Sequence, residues 1–311
     1  MIVSSQYSYL LRRRRDGTIL NDRNMLDTNR DKAQKLWHSF HNEVKYHHRF
    51  FPSHLVLDKL AVFAERCKLT VNAGAIYYRA RIIDDSARAE HMIVKCYRPD
   101  CTEEERKWFH SKANKFRGLT KDGSYVPPNP DLIRDGRSNP KFIRYLYISE
   151  SPTTAVFEVR PLLHNAVNVA EIEVKEQLTI ANIAVGIDID ATKDNSIDEW
   201  LMYFIQTAFS SSTNNPDDYI ASQVIAEYIR HLGYDGIRYS SSLHRGGYNL
   251  TVFDVEKCEA VSSTDLRLED IKMSLRPAIT AVAMDGRFEW IKDNVPMRMD
   301  PERGELVEVE I

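Results

Sequence analysis

Glu158 stands in the run Ala155-Val156-Phe157-Glu158-Val159, with apolar neighbours on both sides. A carboxylate in that setting is paired, hydrogen-bonded, or held ready for chemistry. Arg79 lies in Ala75-Ile76-Tyr77-Tyr78-Arg79-Ala80-Arg81-Ile82-Ile83, among β-branched and aromatic residues. An arginine on such a strand needs a carboxylate, a phosphate or water, and a structural ion pair is the plainer alternative. Arg137 sits in the turn Gly136-Arg137-Ser138-Asn139-Pro140, and Tyr147 in the apolar run Tyr145-Leu146-Tyr147-Ile148. Tyr147 therefore reads either as a site residue or as a core tyrosine. Ser241 is the middle of three serines after Tyr234-Asp235-Gly236-Ile237-Arg238-Tyr239, and Asn249 comes after the Gly246-Gly247 turn. Guanidinium groups can clamp phosphates bidentately, and a carboxylate can stabilise a nearby positive charge.

Local patterns predict the elements that position these groups. Strands are expected over 75–83 and 145–148, the second leading into a helix with Ser151 at its N-cap and Pro152 at its first position. Further strands are expected at 168–173, 178–183, 237–239 and 250–253. Residues 198–208 and 219–232 read as helices, the latter with Ile220, Val224, Ile225, Tyr228, Ile229 and Leu232 on one face and Gly233 as its stop. Upstream, Ala33, Leu36, Trp37, Phe40 and Val44 mark one helix, Phe50-Phe51-Pro52 breaks it, and Ser53 is the expected cap of a second. Residues 31–70 thus form a helical hairpin, read as an appendage to the domain downstream of it. Residues 84–135 are polar and lack a clear period apart from a short helix at 102–108, and are read as a cover over a site. The tail, 276–311, suggests an added strand pair. Short strands and isolated helices without regular βα alternation make the fold class α+β.

Composition excludes several functions. With 42 basic and 45 acidic residues the net charge is −3, so binding to nucleic acid by overall charge is not expected. The Arg12–Arg15 run reads as a solvated arm, or as a contact for nucleic acid or for a partner's acidic face. Four scattered cysteines among 311 residues do not build a disulfide scaffold or a tight metal-ligand pattern, so reduced thiols, no metal and a cytoplasmic location are expected. A secretory leader has charge before its apolar stretch, and here the order is reversed. No apolar run is long enough to span a membrane. No Gly-rich dinucleotide fingerprint supports redox use of a nicotinamide cofactor.

Three segments together resemble the RES-domain family, named for an Arg, a Glu and a Ser. They are Tyr78-Arg79-Ala80-Arg81; Gly136-Arg137-Ser138-Asn139-Pro140 with Tyr147 and Ala155-Val156-Phe157-Glu158-Val159; and Tyr234 to Ser242 with Asn249 and Phe253. Arginine, tyrosine and glutamate at 137, 147 and 158 keep the family's intervals of 10 and 11. Ser138 stands where a tryptophan is common in the family, and Ser240 where many members have proline. The resemblance covers roughly 75–255 and implies an ADP-ribosyltransferase-like mixed sheet that binds and consumes NAD, as toxins of bacterial toxin–antitoxin pairs do. With the pass along the chain, this gives expected divisions at 1–70 (arm and helical hairpin), 71–265 (RES domain) and 266–311 (C-terminal extension, a strand pair). The resemblance also implies roles. Arg79 and Arg137 would clamp the pyrophosphate. Glu158 would stabilise the ribosyl cation and orient or deprotonate water. Tyr147 would stack on nicotinamide or bond a ribose. Ser241 would bond the nicotinamide amide or a ribose hydroxyl, with Asn249 supporting that loop.

Three functions stand as expectations. The first is cleavage of the nicotinamide–ribose bond, by water or by phosphate, with growth arrest through NAD depletion. The second is ADP-ribosyl transfer to a protein, nucleic acid or metabolite from the same site. The third is a non-catalytic binding module that works through 31–70 and Arg12–Arg15. A helix-turn-helix antitoxin is an expected partner by resemblance alone, and the hairpin offers a surface for a homodimer.

Overall fold

In the computed structural model the described residues are 28–184, 195–210 and 215–270, together with the backbone of four strands between 282 and 308. Arg12–Arg15 and residues 276–281 lie outside them. The chain forms two compact units, Met1–Arg267 and Leu268–Ile311.

Among its described residues the first unit begins with α1 (Asn29–Asn42), which starts at a reciprocal cap: the Thr28 hydroxyl accepts from Asp31 N–H, and the Asp31 carboxylate accepts from Thr28 N–H. A π-helical turn at Glu43–His47 leads towards α2 (Leu55–Arg66). His54, not Ser53, caps α2: its Nδ1 accepts from Val56 N–H at 3.2 Å. Ser53 lies one residue too early to reach that donor.

The strands are β1 (Lys68–Val71), β2 (Ile76–Ile82), β3 (Leu146–Ser149), β4 (Ala166–Val174), β5 (Leu178–Asn182), β6 (Gly236–Ser240), β7 (Tyr248–Val252) and β8 (Cys258–Arg267). They form one sheet in the order β1-β5-β6-β7-β3-β2-β4-β8. Neighbours are antiparallel except β5 and β6, whose parallel pairing requires the crossover through α7 (Ile197–Ser210) and α8 (Ile220–His231). The α+β expectation agrees with this mixed sheet and its flanking helices.

Alternation along the strands sorts side chains between two cores. Leu146, Ile148, Leu250 and Val252 enter one core, sealed from outside by Phe116 and Val126 of the 84–135 segment. Ile237 and Tyr239 face the other, where Phe40, Leu60, Ile205, Phe209 and Ile229 of α1, α2, α7 and α8 meet. The N-terminal hairpin thus buries its apolar face in the same core as the crossover helices. Each fully buried Leu, Ile or Phe contributes on the order of 1.5–3 kcal/mol.

Residues 84–135 fold as α3 (Asp85–Arg88), α4 (Met92–Tyr97), α5 (Glu103–Lys112) and irregular chain. Thr102 and Glu105 make the same reciprocal cap for α5. β1 takes residues 68–70 out of the expected helical hairpin by pairing with β5, and β8 has no counterpart among the expected strands: its polar sequence, CEAVSSTDLR, has the burial of an edge strand held by β4. The second unit is a four-stranded antiparallel sheet rather than a strand pair. Its strands are β9 (Val282–Met284), β10 (Arg287–Lys292), β11 (Val295–Met299) and β12 (Leu306–Glu308). The four cysteines are free thiols. Among the described residues no helix is long and apolar enough to cross a membrane.

Candidate active site

β2 and β3 pair at one position, Tyr78 with Ser149, and a cavity of about 320 Å³ opens where they part. Helix α6 (Pro152–Glu158) packs against both strands and carries Glu158 in its last turn. The helix starts where Ser151 Oγ accepts from Thr154 N–H, with Pro152 at its first position, so Ser151 and Pro152 fix where Glu158 falls.

Glu158 Oε1 accepts two hydrogen bonds, from Ser241 Oγ and from Asn249 Nδ2, both 2.7 Å long. Among the described residues no group donates to Oε2. The two donors are themselves held. Ser149 Oγ donates to Asn249 Oδ1 at 2.7 Å, which fixes the amide with its NH2 towards Glu158. Ser241 Oγ accepts from the N–H groups of Leu243 and His244 at 3.2 and 3.1 Å, which leaves its proton for the carboxylate. Ser149 and Asn249 are buried, so these bonds form away from competing water. The 241–247 loop is pinned to α6 at two further places. Thr154 Oγ1 lies 2.9 Å from His244 Nδ1, and the Phe157 and His244 rings stack at 5.2 Å.

The 136–140 turn is held from several sides. Tyr147 donates to Asn139 Oδ1 at 2.6 Å and accepts from Ser138 N–H at 3.0 Å. Gln223 Nε2 donates to the carbonyls of Gly136 and Asn139, and Ser222 Oγ to that of Arg137, all from α8. Arg137 Nη1 donates to the Phe209 carbonyl at 3.2 Å. Burial raises the Tyr147 hydroxyl above the usual phenol range, so it stays a neutral donor. Its ring lines the cavity while its hydroxyl is engaged inside the turn.

Arg79 Nη1 donates to the Ser124 carbonyl at 3.2 Å, and Arg81 Nη1 to that of Gly123 at 3.3 Å. Among the described residues no carboxylate lies within ion-pair distance of Arg79. Burial, reinforced by Arg81, pushes its guanidinium down to about 10, which still leaves it charged at neutral pH. A desolvated cation facing carbonyl oxygen is underpaired, and an anion in the cavity would complete it.

Arg79, Arg137, Tyr147, Glu158 and Asn249 all line this one cavity; Ser241 stands behind Glu158 as its donor. The family model of the RES domain matches residues 97–274. This chain is a member of the RES-domain family.

The matched residues of this RES protein include Arg137, Tyr147, Glu158, Ser241 and Asn249, and Arg79 precedes them. A solved structure with partial similarity is that of the M. tuberculosis MbcT–MbcA toxin–antitoxin complex. It is 14% identical, covers 67% of this RES chain and 92% of that chain, and has a TM-score of 0.35. No curated protein matches significantly. Among the described residues no group of three or more His, Cys, Asp or Glu could hold a metal ion.

Sequence reasoning missed Ser149, although its place two residues after Tyr147 on a strand put both on one face. It also missed Gln223 and Ser222, which reach the turn from 84 to 87 and from 85 positions away and leave no local signal.

Proposed function

We propose that this RES domain cleaves the nicotinamide–ribose bond of NAD, with water or phosphate as the entering nucleophile. The observation that carries the reading is Glu158: one carboxylate oxygen held by two donors, the other without a donor among the described residues, beside Arg79 and Arg137 in one cavity. Arg79 and Arg137 take the pyrophosphate as guanidinium clamps. The C–N bond breaks with its electron pair going to the nicotinamide nitrogen, which loses its positive charge. The charge passes to the ribose, where the Glu158 carboxylate stabilises it. Water then forms the new C–O bond at that carbon and gives its proton to Glu158, which passes it to solvent. With phosphate as nucleophile the bond forms to a phosphate oxygen instead.

Family membership supports a wider proposal. Unrestrained activity depletes NAD and arrests growth in the cytoplasm, and a protein antitoxin silences it.

The test is to incubate the purified chain with NAD, with and without phosphate, and resolve the products chromatographically. Glu158→Gln keeps an amide oxygen that accepts from Ser241 and Asn249 but removes the charge. Nicotinamide release is expected from the wild type and is expected to fall by about a hundredfold or more in the variant. Equal release from both would overturn the reading. Label retained on a macromolecule would replace hydrolysis by ADP-ribosyl transfer.

A further inference from the structure

A second cavity, of about 650 Å³, lies between α5 and β8 and shares no lining residue with the first. Its apolar floor includes Met92 and Phe116, both buried. Trp108 lines it and is 56% exposed, so its ring offers a large flat apolar surface. The ring of Phe109 meets Trp108 edge-on at 5.0 Å, which braces the indole.

The charges in the lining divide into two sets. Glu90, Glu105 and Glu259 are each engaged by a cation: Lys95 at 3.5 Å, Arg98 at 2.9 Å and Lys121 at 2.6 Å. Lys112 and Lys115 have no carboxylate within ion-pair distance among the described residues. Lys112 Nζ lies over the Trp108 ring, 6.0 Å from its centroid, so an ammonium group and the flat surface are adjacent. Asp122 is the lining carboxylate without an ion pair among the described residues. The cavity therefore offers a ring-stacking face, two ammonium groups without an ion pair among the described residues, and one carboxylate likewise without one.

We propose that this cavity binds a free mononucleotide. The base stacks on Trp108, the phosphate is taken by Lys112 and Lys115, and the ribose hydroxyls donate to Asp122. The volume is within the range of small-molecule sites. A nucleic-acid strand needs a row of cations along its backbone, and here only two in the lining lack an ion pair among the described residues. The inference is independent of the reading given to the first cavity.

The probe is AMP, titrated calorimetrically into the purified full chain. One AMP per chain is expected. The double variant K112A/K115A, and separately W108A, should each weaken binding by about tenfold or more. R79A should leave it unchanged, which separates this site from the first cavity. Trp108, Lys112 and Lys115 are exposed, so these variants should fold, as circular dichroism would confirm. The proposal is overturned by any of four results: no binding of AMP, loss of binding in R79A with retention in K112A/K115A, equal affinity for ribose 5-phosphate, or binding of oligoadenylate without AMP.

Discussion

Gly136→Ala should weaken both the fold and the site through one steric conflict. A Cβ at Gly136 would fall inside contact distance of Asn139 Oδ1 and lie 2.6 Å from the Tyr147 hydroxyl, with Tyr147 Cζ at 3.3 Å. Those two oxygens are hydrogen-bonded to each other at 2.6 Å, so neither can retreat without breaking the bond that closes the turn. The Tyr147 hydroxyl would lose Asn139 and Ser138, at about 1 kcal/mol net each, and being left buried would cost roughly 1–3 kcal/mol more. Replacing glycine returns about 0.4–1 kcal/mol by restricting the unfolded chain. The net loss is on the order of 2–5 kcal/mol, or about 1–2 M in the urea midpoint at a slope of about 2–3 kcal/mol per M. Equilibrium urea unfolding of four proteins tests the cause: wild type, Gly136→Ala, Tyr147→Phe and the double variant. Tyr147→Phe removes the obstructing hydroxyl, so Ala at 136 should cost at least about 1 kcal/mol less in that background. An unchanged midpoint in the single variant, or strict additivity in the cycle, would refute the reasoning.

Arg79→Met should leave the ligand-free chain at least as stable while abolishing nicotinamide release. Burial lowers the Arg79 guanidinium to about 10, which marks its charge as unfavourably placed in the ligand-free chain and offsets the roughly 1–3 kcal/mol for the donor lost to Ser124. A fall in melting temperature equivalent to more than about 2 kcal/mol would show that Arg79 is structural. Glu105 is held below the usual carboxylate range by the N–H and hydroxyl of Thr102, and further by Arg98. A depressed folded-state value means stabilisation present above its ordinary 4.5 and lost as the pH falls through the folded value. The stability gap between wild type and Glu105→Gln should therefore narrow as the pH is lowered from about 7 to about 3. A gap that stays constant would rule out this contribution.

What was legible in the sequence was local. Ser151-Pro152 placed α6 and the phase of Glu158, and Gly233, at φ +88°, stopped α8 where its apolar face ran out. The period-2 run around Arg79 marked β2. Among the three adjacent serines, Ser241 carries the bond to Glu158, whereas Ser240 ends β6 and receives Ser210 on its carbonyl. What escaped was long-range. β8 holds its place by pairing with β4 rather than by apolar alternation. The π-turn and His54 cap replaced a simple serine cap because the chain turns one residue later than its pattern suggests. The hairpin's period showed two apolar faces, but only the folded chain shows that α7 and α8 cover them. The 84–135 segment has no single period because it does several jobs: it seals one core with Phe116 and Val126 and presents the carbonyls of Gly123 and Ser124 to two arginines.

The two donors to Glu158 are separated from it by 83 and 91 positions along the chain. During synthesis at about 5–20 residues per second, roughly 5–18 s pass between the appearance of the carboxylate and that of Asn249. A nascent chain halted in that interval carries Glu158 without the groups that hold it. On the proposed role of Glu158, assembly order works as a built-in delay: a prematurely terminated chain is expected to be inert, and activity to begin only once β7 has closed the sheet.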